Sequence, residues 1–301
     1  MFSGSVRADA FGTGGSQFTI DFVSISGDTN PVSGIPAGSG FTFVGVDNDY
    51  RMGTLEITND QWDRFKTELG VPVTGDPSDA YDQDPGWTGT NRPTNGLSWL
   101  EAAQFVNWLN TSAGHQAAYK FTGTQGTSDY TLSIWSTEEA DNGTNLYRHK
   151  DSFYYLPTEG EWVKAAYWNG TELQTWATTD DSQPVVGVDS NYGQSYPFDA
   201  GPWDVGTGNA ELNGTFDMMG NVWEWMESPS SEDFGTDSPR SMRGGTYADA
   251  AYRLASSARF ANYPAYEEYH FGFRVASEVP EPTTLSLLLL GGVAVLSTKR
   301  R

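Results

Sequence analysis

Hydrophobic residues recur at helical spacing in three short segments of the chain, and each segment begins with a capping box. In the first, Thr58 stands at the N-cap and Gln61 three residues later, and Trp62, Phe65 and Leu69 then line one face. The other two boxes start at Ser98 and Thr158, and the residues of their apolar faces are Ala102, Phe105 and Leu109, and Trp162, Ala165 and Ala166. The pattern predicts three short helices with their apolar faces turned to the core.

Outside these segments the chain is dense in Gly, Asn, Asp, Pro and Thr, with only brief apolar runs such as residues 18–25 and 41–46. Such runs between turn residues predict short strands connected by loops. The predicted fold class is therefore α+β with little regular secondary structure. Long irregular loops in one compact domain usually need a tie, and oxygen-liganded calcium is a common one.

Charge and cysteine content exclude several classes of function. The net charge of −22 argues against nucleic acid or an anionic membrane face as a partner, because both need clusters of Lys and Arg. An acidic surface either favours cationic ligands or only keeps an exported protein soluble. The 301 residues include no cysteine, so disulfides, thiolate metal sites and a cysteine nucleophile are absent. Only three histidines occur, without metal-ligand spacing, which disfavours zinc or non-haem iron.

The C-terminal residues 278–301 consist of a spacer, a hydrophobic segment and a basic end in that order. Residues 279–282 read VPEP, residues 283–298 are uncharged and rich in leucine and valine, and Lys299, Arg300 and Arg301 follow. This order resembles the PEP-CTERM sorting tail, a bacterial signal that an exosortase cuts. The resemblance implies a short hydrophobic helix, a transient inner-membrane anchor and final location at the cell surface or in the extracellular matrix. An ordinary C-terminal membrane anchor is the alternative.

A sorted protein needs an export signal, but residues 1–15 contain no apolar core of a signal peptide. Ala8, Asp9 and Ala10 fit a small-x-small cleavage site. We therefore expect residues 1–10 to be the remnant of a signal peptide, followed by an N-terminal strand and linker region at 11–40.

Seven sequence blocks, taken in order, resemble the formylglycine-generating enzyme family, also called the sulfatase-modifying factor domain. The blocks are YRMG at 50–53, RPTN at 92–95, YLPTEGEW at 155–162, NGTFDMMGNVWEW at 213–225, RGGTY at 243–247, SAR at 257–259 and GFRV at 272–275. Over residues 41–277 the resemblance implies one C-type-lectin-like domain with structural calcium. Active members oxidise a sulfatase cysteine with copper held by two cysteines, and a relative acts in ergothioneine synthesis with iron bound by a separate domain.

The catalytic residues of the family are not retained in this chain. The family's active-site serine corresponds to Thr246, its first cysteine to Asp249 and its second to a position near Ala251. Copper(I) selects soft thiolates, which a carboxylate and an alanine do not replace, so no copper is expected. Asp249 remains a candidate hard-metal ligand or sugar-hydroxyl acceptor, with a solvated loop carboxylate as the plainer interpretation.

The family's calcium ligands correspond to oxygen donors in the 213–225 block. They are the carboxylates of Asp217 and Glu224 and the main-chain carbonyls of Gly220 and Val222. A second family site would use Asn191 and the carbonyl of Tyr192. The alternative for Glu224 is a buried ion pair with an arginine such as Arg243 or Arg259.

Two functions follow. The first is a binding or structural module for an extracellular polysaccharide or a surface protein, with Tyr252, Tyr263, Tyr266 and Tyr269 as contact candidates unless they pack inward. The second is an oxidoreductase of the same superfamily with altered metal chemistry, using Asp249, His270 or neighbouring oxygens.

Overall fold

Three helices form where the capping boxes predict them. The computed structural model describes residues 6–30, 45–194, 201–231 and 233–280. In it the helices are α1 (Asn59–Leu69), α2 (Trp99–Ser112) and α3 (Glu159–Tyr167), and each has both reciprocal hydrogen bonds of its box. The N-caps are Thr58, Ser98 and Thr158, which confirms all three predicted starts.

Most of the strands are short, as the sequence predicts. They are β1 (Arg7–Phe11), β2 (Phe18–Ile25), β3 (Tyr50–Gly53), β4 (Phe121–Thr122), β5 (Thr131–Leu132), β6 (Ala140–Asp141), β7 (Asn145–His149), β8 (Tyr154–Tyr155), β9 (Trp223–Pro229), β10 (Arg240–Arg243), β11 (Phe260–Asn262), β12 (Phe271–Gly272) and β13 (Ala276–Ser277). The predicted run 18–25 is a strand in full. Of the run 41–46, residues 41–44 lie outside the described residues, and residues 45 and 46 are not in a strand.

Two sheets organise the domain. The larger has the order β1-β2-β3-β13-β8 with antiparallel neighbours, and the smaller has the order β11-β10-β9-β12, in which β12 runs parallel to β9. Two further strand pairs are β4 with β5 and β6 with β7. The described part of the protein is therefore a mixed, sheet-rich fold with few helices.

The N-terminal residues assigned to a signal-peptide remnant include most of β1. This strand pairs antiparallel with β2, from Arg7 opposite Phe22 to Phe11 opposite Phe18. Asp9 also lies 2.5 Å from the guanidinium of Arg51 in β3. Cleavage after Ala10 stays a prediction, and it would remove four of the five residues of this edge strand.

The predicted sorting tail falls almost wholly outside the described residues, which end at residue 280. In the described ranges, no helix has the length and apolar character needed to cross a membrane.

The core consists of two aromatic clusters that bury the predicted helix faces. One joins β1, β2 and the smaller sheet to helices α1 and α2, and it includes the contacting rings of Trp62, Phe65 and Phe105. The other surrounds α3 and includes Trp162 and Tyr167. Three segments directly adjoin strands of the smaller sheet along the chain, and they carry most of the candidate site residues. They are residues 213–222, 244–255 and 263–270.

Candidate functional site

The turn before β9 holds three of the predicted calcium ligands, Asp217, Gly220 and Val222, and its backbone geometry is unusual. Asp217, Gly220 and Asn221 have φ angles of 60°, 83° and 58°. The amide of Gly220 donates to the carbonyl of Gly244 (2.8 Å), which fixes the turn against the end of β10. Gly244 has a φ of 100°, which residues with a side chain rarely adopt, and a Cβ there would lie 3.3 Å from the Met218 carbonyl oxygen, so glycine is strongly favoured at that position.

Glu224 is fully buried and forms a two-pronged ion pair with Arg274. Its Oε1 lies 2.6 Å from Arg274 Nη2, and its Oε2 accepts from Arg274 Nε and from Trp162 Nε1, both at 2.7 Å. The alternative that Glu224 pairs with an arginine is thus confirmed. Its partner is Arg274, and the two predicted partners were wrong because Arg243 and Arg259 both bind Glu159, at 2.6 and 2.8 Å.

Four buried carboxyl groups interact with the guanidinium of Arg274. We call these five residues the carboxylate-rich cluster: Glu56, Glu211, Asp217, Glu224 and Arg274. Asp217 accepts from Trp203 Nε1 (2.7 Å) and the amide of Gly206 (2.6 Å). Burial, and then repulsion from the neighbouring acids, raises the pKa of Glu56 well above its usual range. Burial likewise raises the pKa of Glu211 to about 8.

The donors of this cluster fit calcium in chemistry. They are hard oxygens. Four carboxyl groups face one positive charge, that of Arg274, and either bound protons or a divalent cation can offset the excess negative charge. Asp217, Glu224 and the carbonyls of Gly220 and Val222 would hold the ion. Among the described residues no three acidic or histidine side chains converge as ligands, so main-chain carbonyls would complete the coordination. Glu224 would share its oxygens with Arg274.

At the second predicted site, Asn191 is already engaged. Its Oδ1 accepts from Gln194 Nε2 (2.7 Å), its Nδ2 donates to Gly201 O (3.0 Å), and its main-chain carbonyl accepts from the amide of Asn221 (2.9 Å). The hydroxyl of Tyr192 donates to the carbonyl of Pro184 (2.6 Å). These bonds brace the 217–222 turn from outside, and a second calcium site stays a prediction.

Thr246 and Asp249 form one closed turn. Asp249 Oδ2 accepts from both the amide (3.0 Å) and the hydroxyl (3.1 Å) of Thr246, and the amide of Ala248 donates to that hydroxyl (3.1 Å). Ala251 opens a short 3-10 helix, Ala251–Arg253, directly after the turn. Asp249, the predicted counterpart of the family's first cysteine, therefore has a structural role in holding the loop.

His270 lies within electrostatic range of this turn. Burial lowers its pKa, whereas the charges of Glu268 and Asp249 oppose that effect. Trp87 was not among the predicted site residues, yet its Nε1 donates to the hydroxyl of Tyr247 (3.1 Å). Trp87 stands in an irregular stretch without periodicity, and only the three-dimensional fold brings it to the 243–247 block.

All four candidate tyrosines point outward. Their exposed fractions are 66% for Tyr252, 61% for Tyr263, 50% for Tyr266 and 49% for Tyr269. These exposures contradict the alternative of full inward packing, although one side of the Tyr269 ring covers Gly86, where a Cβ would clash with the ring's Cδ1. Groups of exposed large apolar side chains often mark a contact surface, because their exposure to water costs free energy.

Comparison with known proteins agrees with this arrangement of blocks. The profile of the sulfatase-modifying factor enzyme 1-like domain matches residues 40–279. The chain belongs to this family.

Individual relatives differ in their named activity. Hercynine oxygenase of Mycolicibacterium smegmatis is 26% identical over 76% of this chain and 53% of its own length, so the chain spans about half of that relative. The inactive C-alpha-formylglycine-generating enzyme 2 of Mus musculus is 31% identical over 42% of this chain and 44% of its own. Among solved structures, Treponema denticola variable protein 1 superposes with a TM-score of 0.63 at 20% identity, covering 90% of this chain and 99% of that one, which shows the shared fold.

Proposed function

We propose that this domain is a binding module that recognises a neutral extracellular polysaccharide through its exposed tyrosines. The observation that carries the proposal is the outward orientation of Tyr252, Tyr263, Tyr266 and Tyr269, which are 49–66% exposed within one stretch of the chain. A tyrosine ring offers an apolar face for the C–H side of a sugar and a hydroxyl for its polar edge.

The donor set at the family's catalytic position supports binding over cysteine oxidation. Copper(I) needs soft sulfur ligands, and the chain contains no cysteine. The residue at the first cysteine position, Asp249, uses Oδ2 to close a turn with Thr246. One relative is named an inactive formylglycine-generating enzyme, which supports a role without the oxidation.

Charge favours a neutral ligand. With a net charge of −22, the protein would repel a polyanionic polysaccharide at low salt. The proposal includes calcium as a structural ion in the carboxylate-rich cluster, where it would stabilise the 217–222 turn beside the Gly244 loop. It also includes export, exosortase processing of the 278–301 tail and a final place at the cell surface or in the matrix.

The test is a glycan and surface-protein array with the purified domain, followed by titration of the best neutral oligosaccharide. Alanine at Tyr263, Tyr266 and Tyr269 together should weaken binding by at least about tenfold, because buried aromatic contacts dominate such interfaces. Val186→Ala, at a residue that is 54% exposed on a different loop, should bind as the parent does. Binding only to proteins on the array, or unchanged affinity in the triple variant, would refute the proposal.

A second function has a specific observation in its favour. The hercynine oxygenase relatives suggest an oxidoreductase with altered metal chemistry, and the proximity of His270 to Asp249 would give that chemistry two hard or borderline ligands. Metal content separates the candidates: stoichiometric iron or copper with oxygen consumption on a thiol substrate favours the enzyme, whereas calcium alone favours binding.

A further inference from the structure

The segment that carries three of the exposed tyrosines, residues 263–269, is attached to the rest of the domain by packing and by hydrogen bonds. Ala265 packs against the core, and the ring of Tyr269 lies on Gly86 and Gly96. The carbonyl of Pro264 accepts from the amide of Leu100 (3.4 Å), and that of Glu268 accepts from the amide of Gly96 (3.2 Å). Gln83 holds the segment from the other side, because its side chain donates to the carbonyl of Glu267 (3.1 Å). The placement of the tyrosines depends on these contacts.

Glu267 is the one residue of this segment whose acidic side chain is turned into the protein. It is 5% exposed, and its Oε2 accepts from the amide of Gln83 (3.0 Å). Its Oε1 is buried, and no amide or hydroxyl of the described residues donates to it. A buried carboxyl oxygen without a donor is costly, so its environment has to supply a proton.

Glu101 is the acid that faces Glu267 from α2. This residue is 7% exposed at the start of α2, where its Oε2 accepts from the amide (2.7 Å) and hydroxyl (2.9 Å) of Ser98. The amide of Leu100, next to Glu101, donates to the carbonyl of Pro264, so the start of α2 faces the segment, and the carboxyl of Glu101 interacts with that of Glu267. Two buried carboxyls that face each other can form a hydrogen bond only when one of them is protonated. Asp82 faces Glu267 from the 76–84 stretch, and the Tyr81 hydroxyl lies near Glu101.

We propose that Glu101 and Glu267 form a proton-dependent latch that fastens residues 263–269 to the start of α2. With the proton present, the two carboxyls share it and the tyrosines are held in place. With the proton lost, two negative charges meet inside the protein, beside Asp82, and the segment is released. The latch regulates the surface assigned under the proposed function, and its relevance to ligand binding rests on that function.

The direction of the pH response follows from the two acids. Burial, and then the bond to Glu267, raises the pKa of Glu101 well above its usual range. Burial raises the pKa of Glu267 to about 7. Both groups hold protons more tightly when the segment is attached than when it is free. Attachment is therefore strongest at low pH, and it weakens as the pH rises through 7 and beyond.

Hydrogen exchange of the ligand-free protein tests the latch directly. The amides of Gln83, Gly96 and Leu100 report attachment, because their acceptors lie on the segment. After correction for intrinsic exchange, their opening constants should rise at least about tenfold between pH 6 and pH 9. In Glu101→Gln the amide side chain keeps the Ser98 capping box and donates permanently to Glu267, so the rise should disappear.

Glu268→Gln is the matched control, since it removes one charge from the same segment and leaves the carboxyl pair intact. It should respond to pH as the parent does. A flat profile in the parent, or an undiminished rise in Glu101→Gln, would overturn the latch. Oligosaccharide titration at the same pH values separates the two proposals: if exchange follows pH and the tyrosine variants bind normally, the latch stands and the polysaccharide function fails.

Discussion

Two buried ionic clusters on neighbouring strands have opposite balances of charge. In the arginine-rich cluster, Glu159 at the start of α3 lies between Arg243 of β10 and Arg259. In the carboxylate-rich cluster, Glu224 of β9 and three further acids interact with Arg274 alone. The strands β9 and β10 pair directly, with Arg243 opposite Glu224 in register.

The surplus charge is compensated differently in the two clusters. Arg243 also donates to the carbonyls of Ser256 and Ala258, both at 2.6 Å, so main-chain oxygens take up the excess positive charge. In the carboxylate-rich cluster, amide, hydroxyl and indole groups donate hydrogen bonds to the carboxyl oxygens, but these neutral donors do not cancel the excess negative charge. The two clusters therefore differ in the sign of their excess charge. Main-chain carbonyls stabilise the excess positive charge of the first, whereas bound protons or a cation would offset the excess negative charge of the second.

Removal of Arg274 should be the most damaging change. Arg274→Met leaves Glu224 buried without its counter-ion among further carboxyl groups, and we expect a loss of about 3–5 kcal/mol in the free energy of unfolding. Urea unfolding followed by tryptophan fluorescence measures it. A loss below about 1 kcal/mol would mean that the carboxyl groups do not depend on Arg274 as their counter-ion, and the proposed difference between the two clusters would be wrong.

Calcium removal should have the next largest effect. Saturating calcium at one site contributes about 2.7 kcal/mol at a hundredfold excess over its Kd, so excess EGTA should lower Tm by several degrees. Glu224→Gln should be less stable than the parent but should no longer respond to EGTA, because the variant loses a carboxylate ligand.

Glu159→Gln provides the control from the other cluster. It also neutralises a buried, arginine-paired carboxylate, yet it should keep the full response to EGTA. A parent melting curve that EGTA leaves unchanged would contradict calcium in the carboxylate-rich cluster and would assign the charge balance to Arg274 and bound protons.

The local features of the fold could be predicted from the sequence, because their causes are local. The capping boxes at Thr58, Ser98 and Thr158 carry start signals within four residues, and all three helices begin there. The strand at 18–25 was predictable from its apolar run. The ordered blocks identified the family, because each of them stands in a fixed order along the chain.

The partners of buried charges could not be predicted in the same way. Glu224 and Arg274 are separated by 50 positions, and Glu101 and Glu267 lie on segments that only the folded chain brings together. Arg274 was visible in the GFRV block, but nothing local favoured it over Arg243 or Arg259. Sheet register decides which charges pair in the core. Here β12 runs parallel to β9 with Gly272 opposite Glu224, and Arg274 follows Gly272 by two residues.

The smallest of these effects should come from Arg259. Glu159 keeps Arg243 when Arg259 is changed, so Arg259→Met removes one of two counter-ions along with bonds to the Ser241 hydroxyl (2.6 Å) and the Ser230 carbonyl (3.1 Å). We expect a loss of about 1–2 kcal/mol in the free energy of unfolding, well below that of Arg274→Met. Urea unfolding of both variants in parallel is the measurement. If both variants lost the same stability, Arg259 would matter to its cluster as much as Arg274 does to the other. The two clusters would then not differ in their need for a cation.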